Sequence, residues 1–170
     1  MKRAHATFHR ILAISPGTRG FGYAVLEGHD TLVDWGVKSV TGQKNARCLV
    51  KVKEMITRYQ PDVVVLENTL TKDSRRSPRI RALTKSIVAL ASKRNVKPEL
   101  VSCSQMKRVL FVDSGEWKKH DIAENVAKRF PEELSLRLPP KRRPWMSEDS
   151  RMGIFDAVAL ALTLQSHKTK

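Results

Sequence analysis

Pro61-Asp62 opens a run of four apolar residues, Val63-Val64-Val65-Leu66, that closes on Glu67. A strand with one wet face alternates apolar and polar residues, so a strand that is apolar at every position has to be covered on both faces. Val63–Glu67 is therefore expected to be a central strand between two layers, with an acid at its end.

The segments around it supply the layers. Ile11–Ile14 is a short apolar run stopped by Ser15-Pro16-Gly17, and Phe21–Leu26 follows closely and stops at Glu27-Gly28. Thr31–Val40 follows, with Val33, Trp35 and Val37 alternating against polar neighbours. Three such runs on short connections predict an antiparallel meander. The period then lengthens: Leu49, Val52, Ile56 and Tyr59 fall at helical spacing between Asn45, a predicted N-cap, and Pro61. Ser77-Pro78 is a second helix start, with Ile80, Leu83, Ile87 and Leu90 on its buried face up to about Arg94. Glu99–Ser102 reads as a fifth strand, Lys118–Phe130 as a helix, and Ile154–Leu164 as a last helix, apolar almost all round. Pro131–Arg151, with Pro139, Pro140 and Pro144, reads as an irregular basic loop. The expected class is α/β: a five-stranded mixed sheet whose first three strands form the meander, with helices on both faces.

At 170 residues and 41% hydrophobic, the chain suits one domain spanning residues 1–170, with residues 1–9 as a flexible basic N-terminus. Its 32 Lys and Arg against 17 Asp and Glu give a formal charge of +15. Such an excess repels itself in a compact state and points to a polyanionic partner. Nucleic acid is favoured over an anionic membrane, because no basic amphipathic helix stands apart from the core. No run approaches the ~20 apolar residues of a membrane span, and none long enough for a signal peptide follows the N-terminal MKRAHATFHR. A soluble, cytoplasmic protein is expected. Cys48 and Cys103 each lie in an apolar stretch and are expected to be buried thiols. Without clustered histidines they do not suggest zinc.

Three strands followed by alternating helices and strands is the element order of the RNase H-like fold, and several motifs sharpen that likeness. Ile11-Leu12-Ala13-Ile14-Ser15-Pro16-Gly17-Thr18-Arg19-Gly20-Phe21-Gly22 resembles the opening strand of RuvC-type Holliday-junction resolvases. Pro61–Glu67 resembles their fourth strand, and Phe155-Asp156-Ala157-Val158-Ala159-Leu160-Ala161 the start of their last helix. Gln105-Met106-Lys107 and the pair Lys118-Lys119 also look like that family. The resemblance implies a homodimeric, metal-dependent endonuclease that cuts branched double-stranded DNA during recombination and repair. Its carboxylates would hold two Mg²⁺ (or Mn²⁺) ions, one activating water and one stabilising the leaving oxygen. It implies Glu67 and Asp156 as metal ligands and catalytic acids, with Lys107 or Lys119 stabilising phosphate charge.

The match breaks at two of the four ligands. Ser15 stands where the family has the bridging first-strand aspartate, and Gly153 where it has an acid or histidine three residues before the last-helix aspartate. Glu148 and Asp149 are the nearest compensating acids, Asp149 joining the site if the chain bends. Leu70 stands near the place of the family's junction-wedging aromatic. Read without the family, Glu67 can also be taken as an exposed strand-end acid and Asp156 as a helix-dipole partner. Ser15-Pro16-Gly17-Thr18 also suits a phosphate-binding turn, as in the actin and sugar-kinase superfamily, but those proteins pair two such domains and this chain has room for one.

Two basic stretches bracket the acids. Lys72, Arg75, Arg76, Arg79, Arg81 and Lys85 are opposed by Asp73 alone, and Lys141, Arg142 and Arg143 precede Trp145. Together with Lys107, Lys118 and Lys119 they form the expected nucleic-acid surface, combining phosphate contacts with a stacking aromatic. Two functions remain open: a Mg²⁺-dependent junction endonuclease with a weakened site, and a DNA-binding protein that keeps the fold without the catalysis.

Overall fold

A computed structural model describes residues 10–72, 74–110 and 117–168. The basic stretch 1–9 and Asp73 lie outside the described residues. Strands β1 (Arg10–Pro16), β2 (Gly20–Glu27) and β3 (Thr31–Ser39) form the antiparallel meander. β4 (Val63–Glu67) and β5 (Lys97–Val101) run parallel to β1, and the sheet order is β3-β2-β1-β4-β5. β4 lies between β1 and β5 with Val63 to Leu66 fully buried, as its unbroken apolar run requires.

Each strand divides its side chains between two cores, because successive residues point to opposite faces. Leu12, Ile14, Val64 and Leu66 pack against helices α1 (Lys44–Tyr59) and α2 (Pro78–Lys93). Ile11, Ala13, Val63 and Val65 pack on the other side, against α3 (Cys103–Leu110), α4 (Lys119–Arg129) and α6 (Met152–Lys168). α6 is buried nearly all round, since it lies across the sheet beneath α3 and α4. None of the described helices is long and apolar enough to cross a membrane.

Four expectations need correction. Leu32, not Val33, is buried in β3: the β2–β3 register shifts at Val25/Leu26, leaving Val33 without a partner and exposed. A bulge of this kind breaks the period of two that the alternation relied on. Asn45 is not an N-cap but lies inside α1, where its side chain exchanges hydrogen bonds with Arg79. Helix α3 is additional; Ser102 Oγ accepts from the Gln105 N–H and Gln105 Oε1 from the Ser102 N–H, a capping box that starts it. The loop at 131–151 opens with α5 (Pro131–Leu134) and a 3₁₀ turn over Ser135–Arg137, anchored by the fully buried Leu134. The Ser77-Pro78 start of α2 is as expected, Ser77 Oγ accepting from the Ile80 N–H at 3.3 Å.

A candidate active-site cleft

Ser15 and Glu67 each follow the last paired residues of two neighbouring parallel strands, Ile14 and Leu66. Alternation sends both toward the α6 face, two positions after Ala13 and Val65. Asp156 comes to the same place from the first turns of α6. The helix rests on β2 through two glycines. A Cβ added to Gly22 would lie 2.1 Å from the Gly153 carbonyl carbon, and one added to Gly153 would lie 3.0 Å from Gly22 Cα. Between the β1–β2 turn and the start of α6 is a cleft of about 220 Å³, lined in part by Ser15, Arg76, Lys119, Glu148, Gly153 and Asp156.

The acids here are already paired with cations, Lys119 serving two of them. Arg76 donates from Nε at 3.1 Å and from a terminal nitrogen at 2.6 Å, both to Oε2 of Glu67. The Cys103 thiol donates to the other oxygen, Oε1, at 3.1 Å. Lys119 Nζ lies 3.1 Å from Asp156 Oδ2 and 2.5 Å from Glu148 Oε1. Burial raises the Asp156 carboxyl above the ordinary range, with Lys119 opposing that shift. Burial also acts against the charge on Lys119, but Asp156 and Glu148 outweigh it and hold the ammonium more firmly protonated. Arg76 behaves likewise between burial and Glu67, and Asp156 adds to its stabilisation. The Cys103 thiol is pushed up to about 11, first by burial and then by the Glu67 charge beside it.

This donor set does not fit a pair of divalent ions. Mg²⁺ takes hard oxygen ligands in near-octahedral geometry, and two such ions close together need several carboxylates to offset their repulsion. Ser15 brings a neutral hydroxyl and Gly153 no side chain. Among the described residues no group of three or more His, Cys, Asp or Glu is placed to hold a metal. The Asp149 carboxylate, an expected ligand, instead takes three hydrogen bonds from Arg151: 2.9 Å from its backbone N–H and 3.0 and 2.7 Å from its guanidinium. Asp149 and its neighbour Glu148 both line the cleft, Asp149 held by Arg151 and Glu148 by Lys119.

The basic residues separate into two kinds. Arg76 and Lys119 face inward onto carboxylates. Arg79 is also a tether, donating to the Gly17 carbonyl at 2.9 Å and to Asn45 Oδ1 at 3.1 Å, which holds the β1–β2 turn and α1 to α2. Lys72, Arg75, Lys107, Lys118, Lys141, Arg142 and Arg143 are exposed, and Arg81 is half-buried. Trp145 is 76% exposed, with the Arg143 guanidinium 5.5 Å above its ring. The two thiols differ from the expectation of two buried groups: Cys48 is buried, but Cys103 is exposed and sits on Glu67. No sequence signal identifies Cys103 as a neighbour of Glu67, because the strand-to-helix step after β5 alone brings them together.

No protein-family model matches the chain, and no curated protein does. Solved structures do. RuvC of Thermus thermophilus in complex with a Holliday junction substrate aligns with a TM-score of 0.67 at 21% identity, covering 95% of this chain and 96% of that one. The Holliday junction resolvase of yeast mitochondria gives 0.60 at 16% identity, covering 99% of this chain and 82% of that one. The fowlpox virus Holliday junction resolvase gives 0.58 at 15% identity, covering 93% and 98%. The chain has the RuvC-type RNase H-like fold.

Proposed function

We propose that this chain binds branched DNA on the cleft side of its RuvC-type fold without cutting it. The observation that carries this reading is the pairing of Glu67 with Arg76 and of Asp156 with Lys119. In a two-metal nuclease the ions do two things: they neutralise the acids so that a phosphodiester can approach, and they generate the attacking hydroxide. A guanidinium and an ammonium do the first and not the second. Arg76 and Lys119 face three carboxylates, Glu67, Asp156 and Glu148, so a phosphate would enter the cleft by displacing an acid from its cation, with the Ser15 hydroxyl beside it, and neither cation generates hydroxide.

Around it the exposed Lys72, Arg75, Lys107, Lys118 and Lys141–Arg143 supply sequence-independent phosphate contacts. Preference for branches would come from shape. In a homodimer, two clefts would engage two arms across the two-fold of a four-way junction. The rival reading, Mg²⁺-dependent incision, requires Arg76 and Lys119 to give up their carboxylates and an oxygen ligand to replace Ser15.

The test is a gel-shift comparison of a four-way junction, a linear duplex and a single strand in EDTA, followed by incubation of the end-labelled junction with Mg²⁺ or Mn²⁺. Preferential junction binding in EDTA with no product after metal addition is expected. Metal-dependent incision that disappears in Glu67→Gln would overturn the proposal in favour of the nuclease.

A further inference from the structure

Next to the cleft is a second cavity of about 120 Å³, and we infer that it receives one unpaired nucleobase from the bound DNA. The inference rests on the binding reading above. Pro139, Pro140, Met146 and Met152 give the cavity apolar walls, while His120 and Arg142 bring polar edges. Lys119, Ser147, Glu148 and Asp149 line both this cavity and the cleft, so the two spaces share a wall.

The chemistry selects among ligands. A phosphate gains little here, because proline rings and thioethers form much of the wall and the cations Lys119 and Arg142 are matched by the carboxylates Glu148 and Asp149. A nucleobase has apolar faces and a polar edge, which is the pattern of this lining. Pro139 and Met152 are buried by the surrounding fold, so part of the wall is formed before any ligand arrives. Exposed Met146 lines the cavity, and its chain neighbour Trp145 does not but is also exposed, with the Arg143 guanidinium 5.5 Å above its ring. Stacking surface joined to positive charge is how proteins grip bases that have left a duplex. A branch point is where such a base costs least to extrude, since unstacking is cheapest where pairing is already disturbed.

The test uses the full chain and four-way junctions with 2-aminopurine at the branch-point positions, at protein concentrations that saturate each variant in a gel shift. Stacked 2-aminopurine is quenched, so entry into a cavity walled by proline and methionine should raise its emission several-fold. Met146→Glu, which places a charge in the apolar wall at an exposed position, should abolish the rise, and Met146→Leu should keep it. If the junction is bound with no rise, the inference fails while the binding reading stands. A rise that survives in Met146→Glu places the base elsewhere and also overturns it. Failure to bind any junction removes the binding reading, and this inference with it.

Discussion

Gly22→Ala should be among the most damaging single-atom-scale changes in the molecule. The added methyl would lie 2.1 Å from the Gly153 carbonyl carbon, where ordinary contact begins at 3.4 Å. Both partners are backbone, so no rotamer change relieves the clash, and α6 has to move off β2 by more than an ångström. That movement loosens the packing of the fully buried Ala13, Ala24 and Val158 in the same core. Overpacking costs roughly 1–3 kcal/mol and occasionally more; a backbone-on-backbone clash belongs at the upper end, about 3 kcal/mol. For a chain of this length that lowers Tm by roughly 6–12 °C. Gly153→Ala meets the same wall at 3.0 Å and is only a few tenths of an ångström short, while alanine's helix propensity returns up to ~1 kcal/mol. It should stay within about 1 kcal/mol of the parent. Gly17→Ala meets nothing within 4 Å and serves as the neutral control. Thermal unfolding followed by far-UV circular dichroism, with urea midpoints, measures all three. A Gly22→Ala Tm matching that of Gly17→Ala would show that the helix does not rest on the strand as described.

Asp156→Asn should hold or raise the urea midpoint at pH 7. The folded-state carboxyl is raised, so its stabilising contribution is present at acid pH and lost as pH rises through that raised value; the amide removes the loss. A marked drop in stability would refute this. Cys103, although exposed, should alkylate slowly with iodoacetamide at pH 8.5 because its pKa is about 11. Glu67→Gln should speed that reaction several-fold, and an unchanged rate would mean that the carboxylate does not face the thiol. The stability linked to Cys103 is full below the ordinary thiol range and is lost as pH rises toward 11. Replacing the exposed Lys72, Arg75 and Arg143 together by alanine should flatten the dependence of log affinity on log salt, by up to about 0.9 for each phosphate no longer neutralised. An unchanged slope would remove this surface from the interface.

Much of this fold is legible because its signals are local. Val63–Glu67 declares a covered strand by composition, and Ser77-Pro78 declares a helix start by stereochemistry. Helix α3 is equally legible through Ser102 and Gln105, but at eight residues it is too short for periodicity to reveal. The bulge at Val33 is not legible: an extra residue in one strand is defined by the partner's register, which the strand itself does not encode. The same division runs through the cleft. Glu67 and Asp156 can be placed by motif, but the role of Arg76 cannot. Its charge reads as part of a phosphate-binding run, and only the geometry of the β4–α2 connection turns it onto Glu67. Asp149 and Glu148 are adjacent in sequence and both line the cleft, and only the structure shows that Arg151 takes the first and Lys119 the second.

The contact between Gly22 and Gly153 also bears on which substitutions are open to this chain over time. A side chain at 153 brings its Cβ to 3.0 Å from the Gly22 Cα, whereas one at 22 would reach 2.1 Å from the Gly153 carbonyl carbon, so bulk is admitted on the helix side only while the strand side stays glycine. The two positions therefore constrain each other unequally: the helix residue has some freedom and the strand residue has almost none, so the seat of α6 is fixed from the sheet side.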